Sequence, residues 1–228
     1  MARKRFVSLG CSLWFLLIPL GALSEEAATD PRILALVQRM ESTFKILEDY
    51  TCEVDQVFYR DGVEEERYRF KFLFKKPKKI RVDFSSPYPS LTIVYLGGEP
   101  EATVIPFRFF PALKFRFSVT DPMISTKAGQ RIHQTDMGYF IEFLSRNLEK
   151  VKQGDGSYRE DGEKVRFLLR AMDYVEGKTL ETYQITISKR VWFPVRIERY
   201  SLEGKPLEVT DIRNYVMDSH LQDGLFRP

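Results

Sequence analysis

The chain has 228 residues, of which 43% are hydrophobic and 14% aromatic, so a disordered chain is excluded and one folded domain with a substantial core is expected. The formal net charge of +3 comes from Arg3, Lys4 and Arg5, because the 35 lysines and arginines less these three equal the 32 acids. Without these residues the chain is neutral and lacks the excess of positive charge that is typical of a nucleic-acid-binding protein.

The N-terminus has the pattern of a secretory signal peptide. The three cations precede an apolar run over residues 13–20, and the small residues Ala22 and Ser24 occupy the positions that a signal peptidase reads. We predict that residues 1–24 are cleaved as a signal peptide, that residues 25–228 form one domain, and that this domain is periplasmic after crossing the inner membrane. An uncleaved membrane anchor is the alternative, although serine, glycine and proline interrupt the apolar segment.

The sequence contains few groups that suit catalysis. Cys52 would be the single cysteine after cleavage, and its alternation with Val54 indicates a small buried hydrophobe rather than a nucleophile. The two histidines, His133 and His220, have no metal-ligand spacing, and neither a phosphate-binding glycine loop nor a nucleophile elbow is present. We therefore predict no enzyme activity and no cofactor.

A helix and a strand open the domain. Asp30 and Pro31 suit the N-cap and first turn of a helix that ends near Asp49. Its apolar residues recur every three or four positions, as Ile33, Val37, Met40, Phe44 and Leu47 do. A strand pattern begins at Thr51, and Asp61-Gly62 predicts a hairpin turn into the next strand.

Residues 67–84 carry the clearest strand pattern in the chain. Aromatic residues alternate with cations before a break at Pro77, apolar residues alternate with charged ones after it, and a period of two places the two kinds on opposite faces. The apolar set is Tyr68, Phe70, Phe72, Phe74, Ile80, Val82 and Phe84. A sheet face with so many large apolar side chains requires a cover or a ligand.

The middle of the chain alternates short strands with loops. Leu91, Ile93 and Tyr95 indicate a strand closed by Gly97-Gly98, and residues 101–105 form another. The phenylalanine-rich residues 106–119 would expose much apolar surface as a loop, so we expect them to tuck against the sheet or line a cavity. Residues 120–134 are predicted to be an irregular polar loop.

A second helix and a second series of strands complete the domain. Thr135 is predicted to cap the helix, whose apolar stripe is Met137, Phe140, Ile141, Leu144 and Leu148, and a glycine pair at residues 154 and 156 is predicted to end it. Five strands joined by hairpin turns then follow at residues 157–159, 164–174, 181–189, 194–200 and 207–216.

This order of elements resembles the periplasmic lipoprotein-carrier superfamily typified by LolA and LolB. Three short motifs are similar to those of the family: YTCEVDQ at residues 50–56, FLFKKPKKIRVDFSSP at residues 72–87, and a final strand at residues 207–226 with an L-x-D-x-x-F ending. The resemblance implies an α+β fold, in which a strongly curved antiparallel sheet forms an unclosed β-barrel and helices cover its concave face.

The resemblance also implies a function. The expected protein is a non-catalytic periplasmic carrier that binds lipid or lipoprotein acyl chains in a hydrophobic cavity and meets donor and acceptor proteins at the inner and outer membranes. We expect it to be a monomer. The alternative is a sensor or regulatory module of envelope stress, which would use the same fold to contact other proteins.

Candidate lining residues follow from the two-sided strands and helices. They are Phe70, Phe72, Phe74, Val82, Phe84, Ile93 and Tyr95 from the sheet, and Met40, Phe44, Phe140, Ile141 and Leu144 from the helices. Two one-sided helices are too few to cover every apolar strand face tightly, which favours a cavity. The same side chains could instead form a close-packed core without a ligand.

Overall fold

The computed structural model describes residues 30–148, 158–173 and 177–227, in which one antiparallel sheet carries two helices on its concave face. The predicted signal peptide and the glycines at 154 and 156 lie outside these residues. The helices are α1 (Pro31–Ile46) and α2 (Met137–Asn147). The strands are β1 (Asp49–Arg60), β2 (Val63–Lys75), β3 (Lys79–Ser86), β4 (Thr92–Leu96), β5 (Glu101–Ile105), β6 (Phe115–Ser118), β7 (Tyr158–Glu160), β8 (Lys164–Met172), β9 (Leu180–Ser188), β10 (Phe193–Tyr200) and β11 (Pro206–Met217).

Two meanders make up the sheet. Its strand order is β6-β5-β4-β3-β2-β1-β11-β10-β9-β8-β7, so the first and last strands of the chain pair at the centre and join the two halves. Strands β6 and β7 remain as separate edges, and the sheet does not close into a barrel. The predicted α+β fold with an unclosed, curved antiparallel sheet is confirmed.

Strand β2 has the two faces that its alternation predicts. Phe72 and Phe74 are buried on the concave side, whereas Arg69 and Lys71 are exposed on the convex side. The turn before it contains Asp61 and Gly62 at φ of 53° and 82°, and positive φ at both central residues is what a type I′ hairpin requires.

Helix α1 begins as predicted and packs one face on the sheet. The carboxylate of Asp30 accepts a hydrogen bond from the Arg32 backbone N–H at 2.9 Å, and Pro31 takes the first helical position. The helix ends at Ile46, slightly before the predicted end, because the chain enters β1 at Asp49.

The cap of α2 differs from the prediction. Asp136 rather than Thr135 is the N-cap, and its carboxylate accepts from the Tyr139 N–H at 3.2 Å. The Thr135 hydroxyl instead donates to the Ile132 carbonyl at 2.7 Å and closes a preceding 3-10 turn. The two helices touch closely at Gly138, where a Cβ would lie 2.8 Å from the ring of Phe44.

The phenylalanine-rich segment also departs from the prediction. Its central residues Phe107, Phe109 and Phe110 are exposed, so for them the expectation is wrong, whereas the ends of the segment line a cavity as expected, through Pro106, Phe115 and Phe117. Backbone hydrogen bonds from Phe110 to Phe107 and from Leu113 to Phe110 form successive turns that hold this part as an outward loop. The strand β6 follows and returns the chain to the sheet edge.

The C-terminal L-x-D-x-x-F ending packs on the convex face of the sheet. Phe226 and Leu221 cover Leu73 and Val94 in a small second cluster. Buried Asp49 holds the start of this tail, because its carboxylate accepts from the backbone N–H groups of residues 219 and 221 at 2.9 and 2.8 Å. The ending thus closes an apolar patch on the outside of the sheet.

The ion pairs of Asp223 predict a pH dependence of the tail. Lys75 and Lys79 lie 2.7 and 2.9 Å from its carboxylate, and these hydrogen bonds lower the pKa of Asp223 from 3.8 to about 2. Because the pKa is depressed on folding, its contribution to holding the tail is present above about pH 4 and is lost as the pH falls towards 2.

We expect an NMR titration of the Asp223 carboxyl carbon to show the depressed midpoint. The Lys75→Gln/Lys79→Gln variant should move that midpoint up towards 3.8, because both hydrogen-bonded cations are gone. An identical midpoint in the two proteins would contradict this assignment.

Candidate functional site

A cavity of ≈ 1020 Å³ lies between the concave face of the sheet and the chain that precedes and begins α2. Its walls are mostly aromatic and aliphatic. The central strands contribute Cys52, Val54, Phe70, Phe72, Val82, Phe84, Ile93, Ile197 and Ile212. The register places Val54 opposite both Phe70 and Ile212, so the middle of the cavity floor is a continuous apolar surface across three strands.

The structure divides the twelve predicted lining residues into two equal groups. Six line the cavity: Phe70, Phe72, Val82, Phe84, Ile93 and Phe140. The other six pack in the core beside it: Met40, Phe44, Phe74, Tyr95, Ile141 and Leu144. For the second group the alternative of a close-packed core is the one that the structure shows.

An aromatic cluster accounts for this division. The ring of Phe74 lies 5.2 Å from that of Tyr50 and 5.7 Å from that of Phe44, measured between centroids. These rings fill the space between α1 and the nearer ends of β1 and β2. The cavity therefore begins at Phe72, the inward-facing position of β2 that precedes Phe74.

Residues 122–136, which we name the cover segment, form the opposite wall. Two 3-10 turns direct Ile124 and Ile132 inward, where they are buried among the lining residues. The sequence predicted only a polar loop here, and the sparse apolar residues were the one signal of an inward face. The end of the segment is attached to β1, since the Met137 N–H donates to the Tyr50 hydroxyl at 3.1 Å.

An ion pair joins the cover segment to β2 across the cavity edge. The Lys127 ammonium lies 2.9 Å from a carboxylate oxygen of Glu66, and the Tyr68 hydroxyl donates to the same carboxylate. These two hydrogen bonds lower the pKa of Glu66, whereas burial and the neighbouring carboxylate raise the pKa of Tyr68. Opening this side of the cavity requires the Lys127–Glu66 pair to separate.

The floor of the cavity contains the carboxylate of Glu208, which accepts hydrogen bonds from several neighbouring side chains. The carboxylate of Glu208 accepts from the Gln56 amide at 2.8 Å and from the Thr210 hydroxyl at 2.9 Å. The Arg199 guanidinium donates to it at 2.6 Å and also contacts Glu181 at 2.9 Å. This buried network places hydrogen-bonded polar atoms at one side of a mainly apolar floor.

The cavity opens to solvent on the side of the phenylalanine-rich segment. Tyr88, Phe115 and Met123 line it and are nevertheless 55%, 48% and 78% exposed. Side chains that contact both the cavity interior and the solvent lie at the opening of the cavity. We call these three residues the cavity rim.

The one cysteine in the described residues lines this cavity. Burial raises the pKa of the Cys52 thiol well above its usual range, which keeps it protonated and unsuited to nucleophilic attack. Across residues 30–148, 158–173 and 177–227, no group of three or more histidine, cysteine, aspartate or glutamate side chains could hold a metal ion. Over the same residues no helix is long and apolar enough to cross a membrane.

No protein-family model matches the chain, and no curated protein matches its sequence. Solved structures do match. The lipoprotein LppX of Mycobacterium tuberculosis aligns with a TM-score of 0.50 and 12% identity, over 85% of this chain and 99% of that one. A LolA superfamily protein of Nitrosomonas europaea aligns at 0.40 and 14%, over 89% and 99%. The MucA/MucB complex of Pseudomonas aeruginosa aligns at 0.43 and 8%, over 86% and 61%.

The open antiparallel sheet with helices on its concave face matches that of LppX at a TM-score of 0.50, and at 12% identity this likeness shows the fold alone. The fold that the sequence resemblance implied is thereby confirmed.

Proposed function

We propose that this protein binds the acyl chains of a lipid or lipoprotein in the cavity and carries them without catalysis. The observation that supports this is the ≈ 1020 Å³ volume lined mainly by apolar side chains and open at a rim. Ligand pockets commonly measure about 300–1,000 Å³ and are lined mainly by hydrophobic and aromatic groups. The cavity is at the upper end of that range.

The number of water molecules that the cavity would otherwise hold favours an apolar occupant. Water occupies about 30 Å³ per molecule, so the cavity would hold on the order of 30 waters, most of them against side chains that offer no hydrogen bond. An acyl chain in their place gains about 0.8 kcal/mol for each buried methylene. Association and ordering costs reduce this gross gain, which allows the cargo to be released again.

The remaining parts of the proposal concern location and partners. Residues 1–24 act as a cleaved signal peptide, and the domain that follows works in the periplasm. Donor and acceptor proteins at the two membranes exchange the cargo with a monomeric carrier. The competing proposal, a regulatory module that contacts another protein, uses the same fold but does not need an occupied cavity.

Filling the cavity should abolish acyl binding. Val54 lies at the centre of the floor, and in the Val54→Trp variant the indole would occupy the space that a chain needs. We expect at least about a tenfold loss of affinity for a fluorescent fatty acid, equal to roughly two buried methylenes. The matched control is Lys71→Trp, which places the same ring on the exposed convex face of β2 and should bind as the wild type does.

Native mass spectrometry of protein purified from its own envelope separates the two proposals. A carrier should retain lipid mass that chloroform extraction removes. Recovery of a stoichiometric protein partner and no lipid would overturn the carrier proposal in favour of the regulatory one. Unchanged probe affinity in Val54→Trp would show that the cavity is not the binding site.

A further inference from the structure

The phenylalanine loop, residues 106–115, presents an unusual exposed apolar surface. Phe107, Phe109 and Phe110 are 45%, 80% and 55% exposed within four consecutive positions, and Leu113 is 36% exposed. Single exposed apolar residues are ordinary, whereas contiguous ones mark an interaction site. The rings of Phe107 and Phe109 also lie 5.5 Å apart, so they form one patch.

The loop is held in this position by the sheet. The Arg108 backbone N–H donates to the Ser90 carbonyl at 3.0 Å, and its guanidinium donates to the Phe84 carbonyl at 3.3 Å. Asp83 lies 3.8 Å from the same guanidinium. These contacts tie Arg108 to β3 and the loop after it, while its neighbours Phe107 and Phe109 stay exposed.

Charge and position indicate what the patch contacts. Residues 102–120 contain Arg108, Lys114 and Arg116 and no acid, so the loop itself carries only positive charge, although Glu101 lies 3.7 Å from the Arg116 guanidinium. Proteins that bind membrane surfaces combine aromatic rings, which enter the headgroup region, with cations, which attract anionic lipids.

The loop is also continuous with the mouth of the cavity. Pro106 and Phe115, at its two ends, both line the cavity, and Tyr88 and Met123 complete the exposed rim. A surface that bound to the loop would therefore meet the opening through which an occupant enters or leaves.

We propose that the phenylalanine loop docks the protein on an anionic phospholipid bilayer, with Phe109 and Phe110 inserted into the headgroup region and the cavity mouth facing the membrane. A bilayer fits better than an acidic protein surface because the patch is most exposed at one ring, Phe109, which is 80% exposed. A fluid interface accepts a protruding ring without a matching pocket. The docking depends on the exposure and charge of the loop and not on what occupies the cavity.

Vesicle co-sedimentation tests this proposal with the mature protein. We expect binding to vesicles of equal parts phosphatidylcholine and phosphatidylglycerol, and little binding to phosphatidylcholine alone. The Phe109→Ser/Phe110→Ser variant should bind at least about tenfold more weakly, because two rings no longer enter the interface. Lys114→Gln/Arg116→Gln should weaken binding by about fivefold for each cation removed.

The control is Ile46→Ser, which removes an apolar side chain that is 79% exposed on α1 and should bind vesicles as the wild type does. A Phe109→Trp variant provides a second measurement, since its fluorescence should shift to the blue on anionic vesicles. The proposal would be overturned if the wild-type protein bound neither vesicle type, or if the serine variant bound vesicles as well as the wild type does. Binding to an acidic protein instead of vesicles would also overturn it. Fatty-acid affinity measured on the serine variant should remain unchanged, which separates failure of docking from failure of cavity binding.

Discussion

Replacing Phe74 by alanine is expected to lower the free energy of unfolding by about 3–5 kcal/mol. The ring is 1% exposed and packs between those of Phe44 and Tyr50, so truncation leaves a void that rigid neighbours cannot fill. Small domains are stable by only about 5–15 kcal/mol, and this loss would be a large fraction of the total. Urea unfolding followed by circular dichroism measures it.

Two control variants make the Phe74→Ala result specific. Lys71→Ala removes an outward side chain from the same strand, and Phe109→Ala removes an aromatic ring that is 80% exposed. Both should change stability by less than about 0.5 kcal/mol. If all three variants lost equal stability, β2 would not have one buried and one solvated face.

Removing the charge of Arg199 is expected to have a similarly large effect. Its guanidinium lies between Glu181 and Glu208, and the three side chains are only 6%, 6% and 3% exposed. Arg199→Gln leaves two buried carboxylates without the cation between them, and breaking a buried pair in this way costs about 3–5 kcal/mol. The unfolding free energy at neutral pH measures the loss.

A second substitution shows whether charge is the cause. Glu208→Gln in the Arg199→Gln background should recover part of the stability, because it removes one uncompensated carboxylate. Arg213→Gln, at a cation that is 65% exposed and 3.7 Å from Asp55, should cost less than about 1 kcal/mol. Failure of the double variant to recover stability would mean that lost packing, rather than charge, explains the effect.

The arrangement of these charges could not be read from the sequence. Glu181, Arg199 and Glu208 belong to three different strands, and their meeting depends on the register of β9, β10 and β11. Each alone is typical of a solvated strand position. Pairing across the sheet is what turns three surface-type residues into a buried network behind the cavity.

Local patterns in the chain were sufficient for both helices and most strands, but not for β6 or the 3-10 turns of the cover segment. Alternation in β2, the Asp30-Pro31 start of α1 and the Asp61-Gly62 turn each depend on residues close in sequence, and the structure has all three. The sequence pattern does not distinguish Thr135 from Asp136 as the N-cap of α2, because both residue types are good caps, and the structure has Asp136. Only the fold of the preceding turn decides between them.

The periods of two and 3.6 in the sequence therefore established the two-sided strands and the one-sided helices, whereas the open, curved sheet was implied by the family resemblance. The tertiary structure decided where the concave face is filled and where it is hollow. Phe74 and Phe72 lie on the same side of one strand, yet α1 covers the first and the cover segment stands off from the second. Periodicity specifies which face a side chain occupies, whereas the distance to the opposite layer depends on how distant segments pack.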